Sequence, residues 1–315
     1  MPMSVKKRRV ILDTDPGIDD ALAFLLLAAS PEISLEAITV THGNTSVDKC
    51  TRNALDIAEL AGLVNVPIAR GASEPLVKSL TIAEETHGDG GLGYATLPRS
   101  AKELYPGHAA DLIIELIHKY PHEITLLMIG PVTNLALAIR KDPTIVPLIK
   151  DVVSMGGAIH FPGNASPSAE YNVFCDPHAY ELMLKSGFDL TIVPLDVTYK
   201  CLFQPRHIAA MAGARPELVT FIEDSTRFYM EFHDEYQKID GCAINDPLAA
   251  ALLVMPELVQ YRNYFVTVEL AGEHTFAKTT ADHFNSTGKS PNAKVAMEVD
   301  VDGFMDFFID RVKQL

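Results

Sequence analysis

Four carboxylates fall within eight residues in Asp13-Thr14-Asp15-Pro16-Gly17-Ile18-Asp19-Asp20, directly after the apolar run Val10-Ile11-Leu12. A helical pattern, Ala21-Leu22-Ala23-Phe24-Leu25-Leu26-Leu27, follows at once. The pattern predicts a short buried strand whose carboxyl end carries an acidic loop, with a helix leaving from that loop. Open α/β sheets bind ligands at that edge. Like charges so close repel unless something positive sits among them, and a hard divalent cation with oxygen ligands answers that need. Asp19 and Asp20 alone could be explained by the helix dipole. Asp13 and Asp15 could not.

Apolar runs alternate with helical patterns along most of the chain. Residues 35–40 read as a second strand, followed by a helix across 46–63. A third strand spans 124–129, between helical stretches at 109–120 and from about Thr133. Two more strands are expected at 151–155 and 190–195, and a helix over 216–237 is expected to cap the sheet. This alternation implies βαβ units and a mostly parallel, doubly wound, Rossmann-like α/β sheet, with right-handed crossovers bringing the strand-end loops to one edge. The Gly-rich segment 86–93 reads as a loop. No linker or repeat divides the chain, so residues 1–315 are expected to form one domain.

The apolar fraction of 48% is ample for a large core. A net charge of −15 argues against nucleic-acid and anionic-membrane partners, which need basic surface. The basic cluster Lys6-Lys7-Arg8-Arg9 is expected only to solvate the N-terminus. Three apolar residues follow it, too few for a signal-peptide core, and no run of about 18 apolar residues is present to span a bilayer. Cys50, Cys175, Cys201 and Cys242 are scattered without a CxxC pair and read as reduced thiols of a cytoplasmic protein. The three Asn-X-Ser/Thr sequons then read as chance matches.

The segment Asp13–Ala21 resembles the signature of the inosine–uridine-preferring nucleoside hydrolases, which cleave the N-glycosidic bond of ribonucleosides. Further segments follow in that family's order: Thr41-His42-Gly43-Asn44, His87-Gly88-Asp89-Gly90-Gly91, Ile129-Gly130-Pro131-Val132-Thr133-Asn134, Met155-Gly156-Gly157, Gly163-Asn164-Ala165, Ala169-Glu170-Tyr171-Asn172 and Asn245-Asp246-Pro247. The resemblance implies a Ca²⁺ site formed by the carboxylates of Asp15, Asp20 and Asp246 and the carbonyl of Ile129. It implies Asp15 as general base toward a metal-bound water, with Asp13 supporting the ligands from behind. Ribose would be held by Asp19 at its 2′-hydroxyl, by Asn44 and Asn172, by Asn164 and Glu170 at its 5′-hydroxyl, and against Met155. A small-molecule ribonucleoside substrate, a mobile 86–93 loop and a homodimer or homotetramer are likewise implied.

One departure stands out. Many relatives carry a histidine general acid before the last ligand aspartate, where this chain has Asn245. Asparagine can donate a hydrogen bond but cannot deliver a proton at neutral pH. His87 and His233 are the candidates to compensate, with Tyr229 one helical turn before His233. His233 could equally be an exposed helical histidine, and His42 reads as structural. Two rivals remain. A haloacid-dehalogenase-type phosphatase also starts with DxD after a strand, but it normally has Thr or Val where this chain has Gly17. A ribonucleoside-binding protein with little turnover would keep the ligands and lose the acid.

Overall fold

The structure, a computed structural model, describes residues 7–315. Its centre is an eight-stranded sheet. Six strands are β1 (Arg8–Thr14), β2 (Ile33–Val40), β3 (Ile68–Arg70), β4 (Ile124–Met128), β5 (Asp151–Met155) and β6 (Leu190–Val193). They run parallel in the order β3-β2-β1-β4-β5-β6. Ala293–Val299 then continues parallel to β6, and Val259–Tyr264 closes the edge antiparallel. Strand order therefore reverses between β1 and β4, the switch point where doubly wound sheets leave a crevice at their carboxyl ends.

β1 is buried on both faces, as a continuous apolar run in a parallel sheet requires. Val10 and Leu12 face one core and Ile11 the other. Three residues separate the end of β1 from helix α1 (Ile18–Ala28), and Ile18 through Leu27 are all buried. Its start is fixed by Asp20, whose Oδ2 accepts the Gly17 N–H at 2.9 Å, the backbone-directed role of an acidic side chain in a helix's first turn. A single Leu22→Ala change inside this helix would cost about 2–5 kcal/mol.

The expected strands and the cap helix all form, with differences at their ends. The 190–195 run stops at Val193, because Leu195 begins a short helical turn, Leu195–Thr198. The cap helix spans Pro216–Phe232, and His233–Gln237 widens into a π turn closed by Lys238 at φ 56°. The loop at 86–93 is entered through one helical turn, Glu84–His87.

The N-terminal basic cluster is corrected more sharply. Lys6 lies outside the described residues and Lys7 is exposed. Arg8 and Arg9 do not merely solvate a terminus; they belong to β1. Arg8 pairs with Asp151 at 2.6 Å and donates to Thr125 and the Leu253 carbonyl. Arg9 pairs with Glu36 and Glu123. The reason is geometric: Glu36 lies on β2 and Glu123 just before β4, the two strands that flank β1, while Asp151 at the start of β5, one strand beyond β4, is within reach of Arg8. All four cysteines are free and buried. Among the described residues, no helix is long and apolar enough to cross a membrane.

Candidate active site

The carboxyl end of β1 delivers Asp13 and Asp15 into the crevice, and the first turn of α1 delivers Asp19 and Asp20 beside them. Asp13 is fully buried. Its Oδ2 accepts from Thr39 Oγ1 on β2 at 2.6 Å and from Asn134 Nδ2 at 2.8 Å. Burial still outweighs those bonds and pushes its carboxyl up to about 7. Asp20 accepts from Thr14, from the backbone of Asp15 and Gly17, and from Asn44 Nδ2 at 2.8 Å. Burial and the neighbouring Asp19 raise it to about 6.

Asp15 sits in a mould made by two glycines. A Cβ on Gly43 would lie 1.9 Å from Asp15 Oδ2, and one on Gly130 would lie 2.4 Å from Oδ1. Gly43 also holds φ at +156°. With those side chains absent, Oδ2 accepts the Asn44 N–H at 2.8 Å, while Oδ1 is buried with no hydrogen-bond partner. A buried carboxylate oxygen without a partner is costly. Burial, then the charge of Asp20, raises the Asp15 carboxyl well above its ordinary value.

Asp246 arrives from the opposite side, in the first turn of the helix Asn245–Ala251. Burial, then Asp19, Asp20 and Asp15, push its carboxyl up. One oxygen each from Asp19, Asp20 and Asp246 lie within 4.8 Å of one another, all three residues buried. This grouping brings Asp19 in beside Asp20 and Asp246, with Asp15 adjacent. Several buried carboxylates that destabilise one another, one with an unpaired oxygen, form the oxygen-rich donor set of a hard divalent cation. The residues fit such an ion.

The residues expected to hold the sugar converge on the same crevice. Asn172 Nδ2 donates to the Ile129 carbonyl at 2.9 Å and to Met155. Glu170 caps the turn Tyr171–Cys175 and also accepts from Gly157 N at 2.9 Å. Asn164 Oδ1 accepts from Tyr171 N at 2.9 Å. Ile129, Met155, Asn164, Glu170 and Asn172 line one pocket together with Asp19, Asn44, His87, Tyr229, His233, Asn245 and Asp246.

Asn245 uses its amide on the protein: Nδ2 donates to Asp19 Oδ2 at 3.0 Å, with the Ala243 carbonyl at 3.4 Å and Tyr229 Oη at 3.5 Å. His87 is tied the opposite way, its Nδ1 accepting the Ile18 N–H at 3.1 Å. His233, only 1% exposed, is a pocket residue and not a surface one. Its Nδ1 donates to the Tyr229 carbonyl at 2.8 Å. Burial lowers both imidazoles to about 4. His42 does not line the pocket; it is buried against Thr133 Oγ1.

Sequence reasoning missed part of the wall. Tyr171, Tyr199, Phe232 and Gln237 also line the pocket. Tyr171 Oη donates to the Gly43 carbonyl at 2.8 Å, tying the turn Tyr171–Cys175 to the Asp15 mould. Tyr171 stood inside a family segment, and Gln237 lies four residues after His233, so both carried a signal. Tyr199, after β6, carried none.

Fold and site together define a doubly wound α/β protein with a carboxylate-floored pocket at its switch point. Residues 10–306 match the family model described as inosine-uridine preferring nucleoside hydrolase. An inosine-uridine preferring nucleoside hydrolase from Leishmania major is 38% identical over 98% of both chains. Uridine nucleosidase 1 of Arabidopsis thaliana is 35% identical, over 96% of this chain and 92% of its own. A purine-preferring ribonucleoside hydrolase from Gardnerella vaginalis superposes with a TM-score of 0.92 at 33% identity, covering 97% and 98% of the two chains. The chain belongs to the inosine-uridine preferring nucleoside hydrolase family and is an enzyme of that type.

Proposed function

We propose that the protein hydrolyses the N-glycosidic bond of ribonucleosides, giving ribose and free base, with Ca²⁺ as its metal. The observation that carries this reading is the buried carboxylate floor, above all Asp15 Oδ1, which has no partner within the protein. Asp15, Asp20, Asp246 and the Ile129 carbonyl would hold the ion. When bound, it supplies a water of lowered pKa and an anchor for the ribose diol.

Asp15 takes the proton as the water oxygen bonds to C1′. Asp19 accepts from the 2′-hydroxyl, its carboxylate oriented by Asn245. Asn44, Asn172, Asn164 and Glu170 bind the remaining sugar hydroxyls, and Met155 packs against the ring. The acids of the floor favour the positive charge that develops on the sugar in such cleavages. A sugar lacking the 2′-hydroxyl would deprive the buried Asp19 carboxylate of one donor, which selects ribose over deoxyribose.

A single-domain chain working in the cytoplasm in nucleoside salvage, as a homodimer or homotetramer, completes the proposal. The relatives' names disagree on the base, so base preference is not inherited from them. Release of reducing sugar from a nucleoside panel, after chelation and again after Ca²⁺ is restored, tests the reading. Loss on chelation with recovery in Ca²⁺ supports it. Full activity in metal-stripped protein would overturn the metal assignment, and no sugar release from any nucleoside would overturn the function.

A further inference from the structure

Two segments of the site are held from outside the pocket. The acidic turn after β1 forms the floor, and the Gly-rich segment from His87 lies against that turn, His87 Nδ1 accepting the Ile18 N–H at 3.1 Å. Both rest on helix α2 (Val47–Leu60), which Ser46 caps at its start. Lys49 and Asn53, four residues apart, share one stripe of that helix. Neither lines the pocket.

Asn53 is the residue that reaches both segments. It is only 7% exposed. Its Nδ2 donates to the Pro16 carbonyl at 3.1 Å and to the Gly90 carbonyl at 2.8 Å, so both of its N–H bonds are engaged. Lys49 holds the Gly-rich side alone: Nζ donates to the Asp89 carbonyl at 2.7 Å and pairs with Glu84 and Asp89. The Gly-rich segment passes so near α2 that a Cβ on Gly91 would lie 2.8 Å from Asn53 Nδ2.

The bond to Pro16 bears on the floor itself. The Pro16 carbonyl and the Gly17 N–H belong to one planar peptide unit. Asn53 holds its oxygen, and Asp20 Oδ2 accepts its N–H at 2.9 Å. One unit earlier, Asn44 Nδ2 donates to the Asp15 carbonyl at 3.1 Å. Glycine at position 17 gives the backbone no steric guard against rotation. The hydrogen bonds therefore fix the Pro16–Gly17 unit, and with it the placement of Asp15 relative to Asp20.

We infer that Asn53 is a positioning residue for the hydrolysis. It sets the acidic turn beneath the reacting groups and locks the Gly-rich segment to that turn, without touching the substrate. Its effect on turnover rests on the hydrolase reading; its tie between the two segments does not.

Asn53→Ala, and Asn53→Asp, which keeps the shape but loses both N–H donors, test this in the full-length protein. With Ca²⁺ at pH 7 and the nucleoside the wild type cleaves best, kcat is expected to fall about 10- to 100-fold, the cost of a displacement approaching 1 Å at reacting groups. KM is expected to move by less than about threefold, the signature of lost positioning and not of lost binding. Hydrogen exchange of the metal-free protein gives a readout that a merely structural side chain would not move. Residues 13–22 and 86–95 are expected to exchange together at least about 5-fold faster, the worth of a lost hydrogen bond, while the rest of α2 keeps its wild-type rates. Lys49→Ala is expected to speed 86–95 alone. Wild-type kcat in both Asn53 variants, faster exchange confined to one segment, or loosening of both segments by Lys49→Ala would overturn the inference. If neither Asn53 variant folds, Gly91→Ala, which drives a methyl group onto Nδ2, takes their place, with faster exchange at 13–22 as its expected result and wild-type exchange there as the contrary one. Absence of sugar release from the wild type would overturn the hydrolase reading, and the exchange comparison would still decide the tie.

Discussion

The floor and the wall of this pocket are built on opposite principles. In the floor and directly behind it, Asp13, Asp20 and Asn44 each engage two or more partners, and the polar groups interlock across β1, β2 and α1. The wall consists of Tyr199, Tyr229, Phe232 and His233, rings that touch each other and make few directed bonds. A hydrogen-bonded floor fixes the positions of a few oxygens. A wall of rings offers surface without dictating which atoms a ligand must carry. On the proposed reading, demands on the sugar are therefore strict, and demands on the base are looser. The printed names of the relatives, which agree on the nucleoside and differ on the base, parallel this contrast.

The contrast is tested most severely in the floor. Asp15→Ala is expected to lower turnover by about 10³-fold or more, because a base and a metal ligand are lost together. Asp246→Ala is expected to follow through the metal alone. Calcium calorimetry alongside kcat checks both, and wild-type calcium affinity in either variant would contradict the ligand assignment.

Gly130→Ala comes next. It alters no polar group, yet the added carbon collides with Asp15 Oδ1. A displacement of about 1 Å at reacting groups costs about 10²-fold, so kcat is expected to drop by that order while far-UV circular dichroism stays native. An unimpaired kcat would show that the mould is dispensable.

The wall is expected to respond more mildly. Tyr229→Leu removes a ring and should raise KM about 10-fold, the usual worth of one aromatic–base stack, with kcat changed by less than about threefold. A collapse of kcat with unchanged KM would break the division between floor and wall. The smallest effect lies at the far end of β1. Arg8→Ala should leave kcat/KM untouched and cost about 1 kcal/mol, since its partner Asp151 is only partly buried. A thermal melt lowered by a few degrees is the expected readout.

How much of this was legible in the sequence follows the same division. The floor was legible because its acids are neighbours in the chain: one strand end and one helix start put Asp13, Asp15, Asp19 and Asp20 in a single loop. β1, β2, β4 and β5 were legible as apolar runs. The outer strands Val259–Tyr264 and Ala293–Val299 were not, because an edge strand and its neighbour alternate buried and exposed positions, with Arg262, Asn263 and Lys294 interrupting the pattern. In the wall, Tyr229, His233 and Gln237 follow one another at helical spacing across residues 216–237, but Tyr199 comes from a separate element after β6, and no local spacing announces that it joins them. Arg8 and Arg9 were misread because a short charge run gives no sign of the partners waiting elsewhere in the sheet. Asn245 was recognised as a departure, but its engagement with Asp19 needed coordinates.

The pair Gly43 and Gly130 has an evolutionary corollary. Each contributes an emptiness, and an emptiness cannot be adjusted by degrees: the smallest possible step, one methyl group, already overlaps the carboxylate. Drift at either position is thus all or nothing, whereas Tyr199, Phe232, His233 and Gln237 can be exchanged for neighbours of graded size and polarity. Lineages exploring new nucleosides would be channelled into rewriting the rim while inheriting the base of the pocket unedited. In a mutational scan the two glycines would score like catalytic groups, although neither has a side chain with which to perform chemistry.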